Sequence, residues 1–154
     1  MTRMEWPDVA GRIVDGVHYL PLRIYYADTD ISGAVYHANY LSYCERARSD
    51  CLRLLGVQQG ETNWGSTGGQ MGFVVRRALC DYYRPAQMDD LLTIETRFKS
   101  MTGARVEISQ RIVRGGELLF GLEVLVAVVD GRGVPKRLPE SLRQAMASFL
   151  PTAP

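Results

Sequence analysis

The stretch YLSYCERARSDCLRLLG, residues 40–56, decides the fold because it contains the clearest amphipathic helix in the chain. Its apolar side chains recur at i, i+3, i+4 and i+7 spacing, while serine and charged residues fill the opposite face. Gly56 stands where a left-handed cap would end the helix. The apolar stripe consists of Tyr40, Tyr43, Cys44, Ala47, Cys51, Leu54 and Leu55. A stripe of this width needs a large apolar surface opposite it.

Segments on both sides of this helix have the patterns of strands. One strand is predicted from His18 to Tyr26, and four more follow residue 71, with Gly115-Gly116 as a hairpin signal between two of them. The most continuously apolar run, ELLFGLEVLVAVVD, suits a central strand, and PESLRQAMASFL predicts a short C-terminal helix over residues 140–150. The order strand, long helix and then four strands predicts an α+β architecture, an antiparallel sheet packed on one helix.

The 154 residues suit a single compact domain. Residues 1–16 mix proline, glycine and acidic residues without a period, so we expect an N-terminal arm there and one domain over 17–154. Residues 58–70, which include Trp64, are polar and glycine-rich, which predicts a loop.

Composition argues against several classes of function. Lysine and arginine number 18 against 17 acidic residues, a net charge of +1, which calls for neither nucleic acid nor a membrane surface as partner. The chain has three cysteines, no CxxC motif and only two histidines. These numbers argue against a metal site and against a disulfide framework. The N-terminus lacks the apolar core of a secretory signal, and the apolar run Val124 to Val129 is too short to cross a bilayer. We therefore expect a cytoplasmic protein without a metal.

One dense polar segment, YYADTDISGAVYHANY at residues 25–40, lies between the first strand and the start of the buried helix. A helix start offers unpaired N–H groups and a partial positive charge, which can hold a developing oxyanion beside a carboxylate that acts as base or nucleophile. The alternative is structural, because Asp28, Thr29, Asp30 and Ser32 are all good turn and cap residues. Composition alone favours this structural alternative.

The order of residues in this segment resembles the signature of the 4-hydroxybenzoyl-CoA thioesterase class of hotdog proteins. It is most similar to the acyl-CoA thioesterases encoded with the Tol–Pal envelope system, whose pattern is Tyr-x-Asp-Thr-Asp-x-x-Gly-x-Val-Tyr-His-x-x-Tyr. The matching residues are Tyr26, Asp28, Thr29, Asp30, Gly33, Val35, Tyr36, His37 and Tyr40. The resemblance continues through YCERARSDCLRLLG and FVVRRALCDYYRPAQMDDLLTIET and covers roughly residues 20–130. It implies a hotdog fold, with a sheet of about five strands wrapped around one long central helix, and a thioesterase activity.

The resemblance also implies residue roles. Asp30 would be the catalytic carboxylate, either as nucleophile or as general base on water, and the backbone N–H of His37 would polarise the thioester carbonyl. The side chains of His37 and Tyr26 would assist, and Asp28 would fix the turn. Because a thiolate is a good leaving group, such a site needs no strong general acid and no cofactor, with coenzyme A entering as part of the substrate.

The binding partners are less sharply defined by the sequence. Hotdog proteins bind the nucleotide at a subunit boundary, so we expect Arg97, Lys99 and Arg105 to contact the coenzyme A phosphates and the chain to form a homodimer or a homotetramer. The acyl group could be short or medium aliphatic, or aromatic, and acyl carrier protein thioesters are further candidates. Two alternatives stay open, a hotdog hydratase or dehydratase and a non-catalytic acyl-CoA or acyl-carrier-protein binding protein.

Overall fold

A computed structural model describes residues 8–56 and 71–150 of the chain. Its strands, in one antiparallel sheet of order β1-β2-β4-β5-β6-β3, and its helices confirm the predicted α+β architecture of a sheet with one long helix and a short C-terminal helix. The elements are β1 Arg12–Val14, β2 Val17–Arg23, α1 Asn39–Leu54, β3 Met71–Tyr82, β4 Leu91–Thr102, β5 Arg105–Arg114, β6 Glu117–Asp130 and α2 Glu140–Ala147. The predicted loop at 58–70, with Trp64, lies outside the described residues.

Helix α1 packs one face against the sheet, where it contacts β2 and β4. The predicted stripe is buried from Tyr40 to Cys51, but the prediction is wrong for Leu54, which is 40% exposed, while Leu52 is buried at 8%. The two leucines lie on opposite flanks of the stripe, and Phe73 and Phe98 line a small cavity on the flank of Leu52. Which flank is covered depends on the sheet and not on the helix sequence.

The alternation predicted for β4 and β5 is confirmed, and it brings two polar side chains, Thr96 and Gln110, into the core. The Gln110 amide nitrogen donates to Thr96 Oγ1 at 2.9 Å and to the Cys44 carbonyl at 3.0 Å. Its oxygen accepts a hydrogen bond from Arg48 Nη1 at 2.7 Å. This buried amide therefore has partners on both of its polar atoms and links α1 to the sheet.

The apolar run of β6 lies between β5 and β3, so it is paired on both sides but is not the centre of the sheet. Helix α2 ends at Ala147, three residues before the predicted end, and the chain continues with Phe149 buried. No described helix has the length and apolar character needed to span a membrane.

Within the segment expected to be an N-terminal arm, residues 12–14 form β1 and pair with β2. Asp15 and Gly16 join the two strands with φ values of 50° and 74°, the left-handed conformation that a two-residue hairpin turn requires. Before β1, the Gly11 N–H donates to Asp50 Oδ2 of α1 at 2.8 Å, and the buried His18 of β2 contacts the same oxygen through Nε2 at 2.7 Å. Asp50 therefore fastens the N-terminal hairpin to the long helix.

Substitution of Asp50 should lower the free energy of unfolding measurably. Burial by itself would raise the pKa of Asp50, but hydrogen bonds from His18, Arg53 and the Gly11 N–H together hold it below its usual value. In urea unfolding at neutral pH we expect Asp50→Asn to lose about 1–3 kcal/mol of the free energy of unfolding, because the asparagine amide has one uncharged acceptor oxygen for the three donors of Gly11, His18 and Arg53.

The sign of the pH dependence follows from the lowered pKa. A carboxyl group of this kind contributes stability above its unfolded pKa of about 3.9, and that contribution disappears as the pH falls through the folded pKa. The difference between wild type and Asp50→Asn should therefore shrink below about pH 4. Glu107→Gln, which changes an exposed carboxylate bonded to Ser100, is the control, and an equal loss in both variants would contradict the assignment.

Candidate active site

The chain leaves β2 at Arg23 and enters a short 3-10 turn at Tyr26–Asp28, so the predicted strand to Tyr26 was too long. Asp28 closes this turn, because its Oδ2 accepts a hydrogen bond from the Tyr25 N–H at 2.8 Å. Its carbonyl accepts from the Tyr36 N–H at 3.0 Å and from Asn39 Nδ2 at 2.9 Å. Asp28 therefore has the turn-fixing contacts expected for it and joins the turn to the start of α1.

Asp30 heads the tight turn that follows. Its Oδ1 accepts hydrogen bonds from the Ser32 N–H at 2.8 Å and from the Ser32 hydroxyl. The Gly33 N–H donates to the Asp30 carbonyl at 3.0 Å, and Gly33 has a φ of 83°, which favours glycine. The Ser32 hydroxyl and then its N–H lower the pKa of Asp30, and the nearby His37 lowers it further. The result is an exposed carboxylate that is ionised at neutral pH, with Oδ2 bonded to no other described residue.

The turn around Asp30 is held against the segment that follows β3. Val35 donates its N–H to the Ala86 carbonyl at 2.9 Å, and Ala34 forms a bridge with Gln87. The Ala86 N–H in turn donates to the Tyr40 hydroxyl at 3.0 Å. The buried backbone of Ala86 thus joins the turn around Asp30 to α1. This contact fixes the position of Asp30 relative to the helix.

The start of α1 presents free donors beside this carboxylate. His37 and Ala38 precede the first helical residue, and their N–H groups donate to no atom of the described residues. The His37 ring is exposed and lies 4.6 Å from the ring of Tyr36 and 6.3 Å from that of Tyr82. Free N–H groups at the positive end of a helix, next to an ionised carboxylate, can stabilise a developing oxyanion while the carboxylate acts as base or nucleophile.

His37 thus lies close enough to Asp30 to act on its charge. Tyr26 has no such relation to Asp30 among the described residues. The Tyr26 side chain is 82% exposed, and among the described residues it makes no hydrogen bond or ring contact with Asp30 or His37. The sequence missed Tyr82, whose hydroxyl donates to the His37 carbonyl at 2.8 Å. The sequence shows only that Tyr82 belongs to a predicted strand. The contact itself joins residues 45 positions apart and depends on the register of the sheet, which the sequence pattern does not give.

The three basic residues predicted for coenzyme A do not form one cluster. Arg97 pairs with Glu95 at 2.9 Å, and Lys99 lies 3.5 Å from Glu123. Arg105 instead lines a surface depression together with Arg76 and Arg77, and this depression includes neither Arg97 nor Lys99. The acidic partner of Arg97 lies two residues earlier on β4, and that of Lys99 lies on β6.

Comparison with known proteins assigns the family. The family described as Thioesterase superfamily matches residues 32–120, and the chain belongs to this family. The acyl-CoA thioester hydrolase YbgC of Escherichia coli O6:H1 is 42% identical over 124 residues, 79% of this chain and 90% of that protein. The acyl-CoA thioesterase YbgC of Haemophilus influenzae is 38% identical over 134 residues, 86% and 96% of the two chains.

Solved structures agree with this assignment. A probable thioesterase from Bartonella henselae is 43% identical, covers 80% of this chain and 99% of its own, and superposes with a TM-score of 0.75. A 1,4-dihydroxy-2-naphthoyl-CoA thioesterase from Synechocystis, at 20% identity and a TM-score of 0.76 over 86% and 96% of the chains, shares the fold. The protein is thus a thioesterase with the hotdog fold, which confirms the predicted enzyme class over the hydratase and the binding-protein alternatives.

The contacts of Asp30 predict how its ionisation responds to substitution. Because hydrogen bonds from Ser32 favour the charged form, Ser32→Ala should raise the pKa of Asp30 towards its ordinary value of about 3.9. Carboxyl-carbon NMR titration between pH 2 and 6 measures this directly. Thr29→Ser, which keeps a hydroxyl for the Tyr26 carbonyl, is the control. An Asp30 pKa that does not rise in Ser32→Ala would show that the serine does not stabilise the charged carboxylate.

Proposed function

We propose that the protein hydrolyses acyl-CoA thioesters to a free acid and coenzyme A, with Asp30 as the catalytic carboxylate. The observation that carries this proposal is the ionised, exposed Asp30 carboxylate beside the free N–H groups at the start of α1. The names of the relatives from Escherichia coli and Haemophilus influenzae support an acyl-CoA substrate.

In this mechanism the thioester carbonyl oxygen accepts a hydrogen bond from the His37 N–H, and the electrophilic carbon faces Asp30. Asp30 either attacks that carbon, forming an anhydride that water then opens, or removes a proton from a water molecule that attacks. In both routes negative charge develops on the carbonyl oxygen, where the helix start stabilises it, and the coenzyme A thiolate departs. The His37 side chain would orient the water or assist the carboxylate, and Tyr26 would border the acyl group.

The substrate is proposed at the level of its class. The acyl group is short or medium aliphatic, or aromatic. Its carrier is coenzyme A, with acyl carrier protein as the second candidate, because both carriers present the same pantetheine thioester. Of the basic residues expected to bind coenzyme A, Arg105 has further arginines beside it, whereas Arg97 and Lys99 have acidic partners. The absence of a cofactor and the cytoplasmic location stay predictions.

A second copy of the chain is part of the proposal, because the site is open and apolar in a single copy. Large apolar side chains of the segment that carries Asp30 and His37, and of Tyr82 on β3, are exposed, namely Tyr25, Tyr26, Ile31, Tyr36 and Tyr82. Strand β3, 12 residues long, is one edge of the sheet, whereas the other edge, β1, has 3 residues. Pairing of β3 with β3 of a second copy would satisfy the free edge and cover the open side of the site, giving a homodimer or, from two such pairs, a homotetramer.

Substitution of Asp30 tests the central claim. Asp30→Asn and Asp30→Ala should each lower kcat for an acyl-CoA panel at least about 100-fold, since the base or nucleophile is lost, while coenzyme A still binds. Thiol release is the measurement, and Glu140→Gln, an exposed carboxylate on α2, is the control. Turnover by Asp30→Ala at the wild-type rate would refute the assignment.

The same preparation tests for a nucleophilic role of Asp30. In a single turnover in ¹⁸O-labelled water, an anhydride that water opens at the Asp30 carbon places the label in Asp30 and an unlabelled Asp30 oxygen in the released acid. A general base leaves both Asp30 oxygens unlabelled and delivers the label to the released acid, as does an anhydride opened at the substrate carbon. Label in Asp30, detected by mass spectrometry of the peptide and of the product, therefore identifies the nucleophilic route.

Substitution on the exposed edge strand β3 tests the proposed pairing of two copies. Leu79, 61% exposed on β3, would be covered in a β3–β3 pair, so Leu79→Asp buries a charge on each copy and should lower the mass measured by light scattering to that of one chain. Val134→Asp, at a 53% exposed position away from β3, is the control and should keep the assembled mass. An assembled Leu79→Asp protein, or a monomeric wild type, would argue against pairing through β3.

A further inference from the structure

Tyr82 is the one side chain of the sheet that hydrogen-bonds to the backbone at the start of α1 within the described residues. It lies on β3 opposite Phe120 of β6, and its ring packs edge-on against Phe120 at 4.9 Å and against Tyr40 at 5.6 Å. The ring is therefore held by neighbours that do not need its hydroxyl. The hydroxyl reaches beyond them and donates to the His37 carbonyl at 2.8 Å.

This hydrogen bond acts on a particular peptide unit. The His37 carbonyl belongs to the peptide whose N–H is that of Ala38, and in a planar trans peptide the C=O and N–H point in opposite directions. When Tyr82 fixes the carbonyl, it also fixes the direction of the Ala38 N–H. A carbonyl that accepts a hydrogen bond also polarises its peptide, which makes the N–H of the same unit a stronger donor.

The Ala38 N–H has no competing acceptor. Ala38 is the cap residue of α1, has no side-chain cap, and donates to no atom of the described residues. Asn39, the next residue, is different, because its N–H already donates to the Tyr36 carbonyl at 2.9 Å. Directly before α1, two consecutive N–H groups, those of His37 and Ala38, thus have no acceptor among the described residues.

We propose that the Ala38 N–H is a second oxyanion donor beside that of His37, and that Tyr82 is the positioning residue that orients it. The inference rests on the proposed thioester hydrolysis at Asp30. As charge develops on the thioester oxygen, two donors share it, and the Tyr82 hydroxyl keeps the second donor in place before the reaction begins. Burial, with Cys80, Tyr40 and Cys44 nearby, raises the pKa of Tyr82, so the hydroxyl keeps its proton.

The chain permits a clean test of both residues. Tyr82→Phe removes the hydroxyl and keeps the ring contacts, and Tyr83→Phe, on the adjacent and exposed tyrosine, is its matched control. Ala38→Pro removes the N–H at a residue whose φ of −71° already suits proline, and Ala38→Gly, which keeps the N–H, is the control.

We expect Tyr82→Phe to lower kcat roughly five- to tenfold with little change in KM, as for loss of one hydrogen bond that matters in the transition state. Ala38→Pro should lower kcat about 100-fold, the size seen when one oxyanion donor is removed, and Ala38→Gly much less. Because Tyr82 acts through the Ala38 N–H, adding Tyr82→Phe to Ala38→Pro should cost little more. A merely structural role for Tyr82 would give independent effects that multiply.

If Ala38→Pro fails to fold, a spectroscopic measurement tests the role of Tyr82 without that variant. With hexanoyl-CoA bound to Asp30→Asn, the Raman band of the thioester carbonyl should lie lower than in solution, and Tyr82→Phe in the same background should move it part of the way back. An unchanged band, unchanged kcat in Tyr82→Phe, or a full multiplicative loss in the double variant would overturn the proposal. Wild-type turnover in Asp30→Asn would instead refute the proposed function, so the two failures are distinguishable.

Discussion

Burial of one face of α1 against the sheet is the constraint on which the rest of the structure depends. Each large apolar side chain on that face contributes about 1.5–3 kcal/mol when it leaves water, so the helix has one favourable rotation about its axis. Tyr40 is buried at the first turn and accepts a hydrogen bond from the Ala86 N–H. Through this contact the burial of the helix also sets where its N-terminus meets the chain that follows β3.

The site makes use of a helix end that the fold leaves unfinished. The residue at the cap is Ala38, which offers no side-chain acceptor, and substitution of a good cap by alanine typically costs about 1 kcal/mol of stability. The residues suited to capping, Asp28 and Asp30, serve the preceding turns. The uncapped helix start leaves N–H donors free near a charged carboxylate, and it lowers the local stability of the helix. Functional sites often show this compromise.

Polar contacts between distant elements keep this arrangement in register. Gln110 connects the sheet to the middle of α1 through Arg48 and the Cys44 carbonyl, and Asp50 connects the N-terminal hairpin to its last turns. Both are buried or part-buried groups whose partners come from other elements, and a shift of the helix along its axis would leave them unpaired at a cost of about 1–3 kcal/mol each. Apolar packing selects the face of α1, and these hydrogen bonds select its position along the sheet.

The sequence by itself determined the features that arise from local pattern: the stripe of α1, the alternation of β4 and β5, and the turn residues around Asp30. The ordered motif also identified the family, since its residue types recur in one fixed order. Tertiary structure alone decided that Leu52 and not Leu54 is covered, that Gly11 is tied to Asp50, and that Lys99 meets Glu123. It also brought Tyr82 to the His37 carbonyl. The physical reason is that each of these contacts joins residues far apart in the chain, so it depends on strand order, bulges and helix position, which no local periodicity encodes.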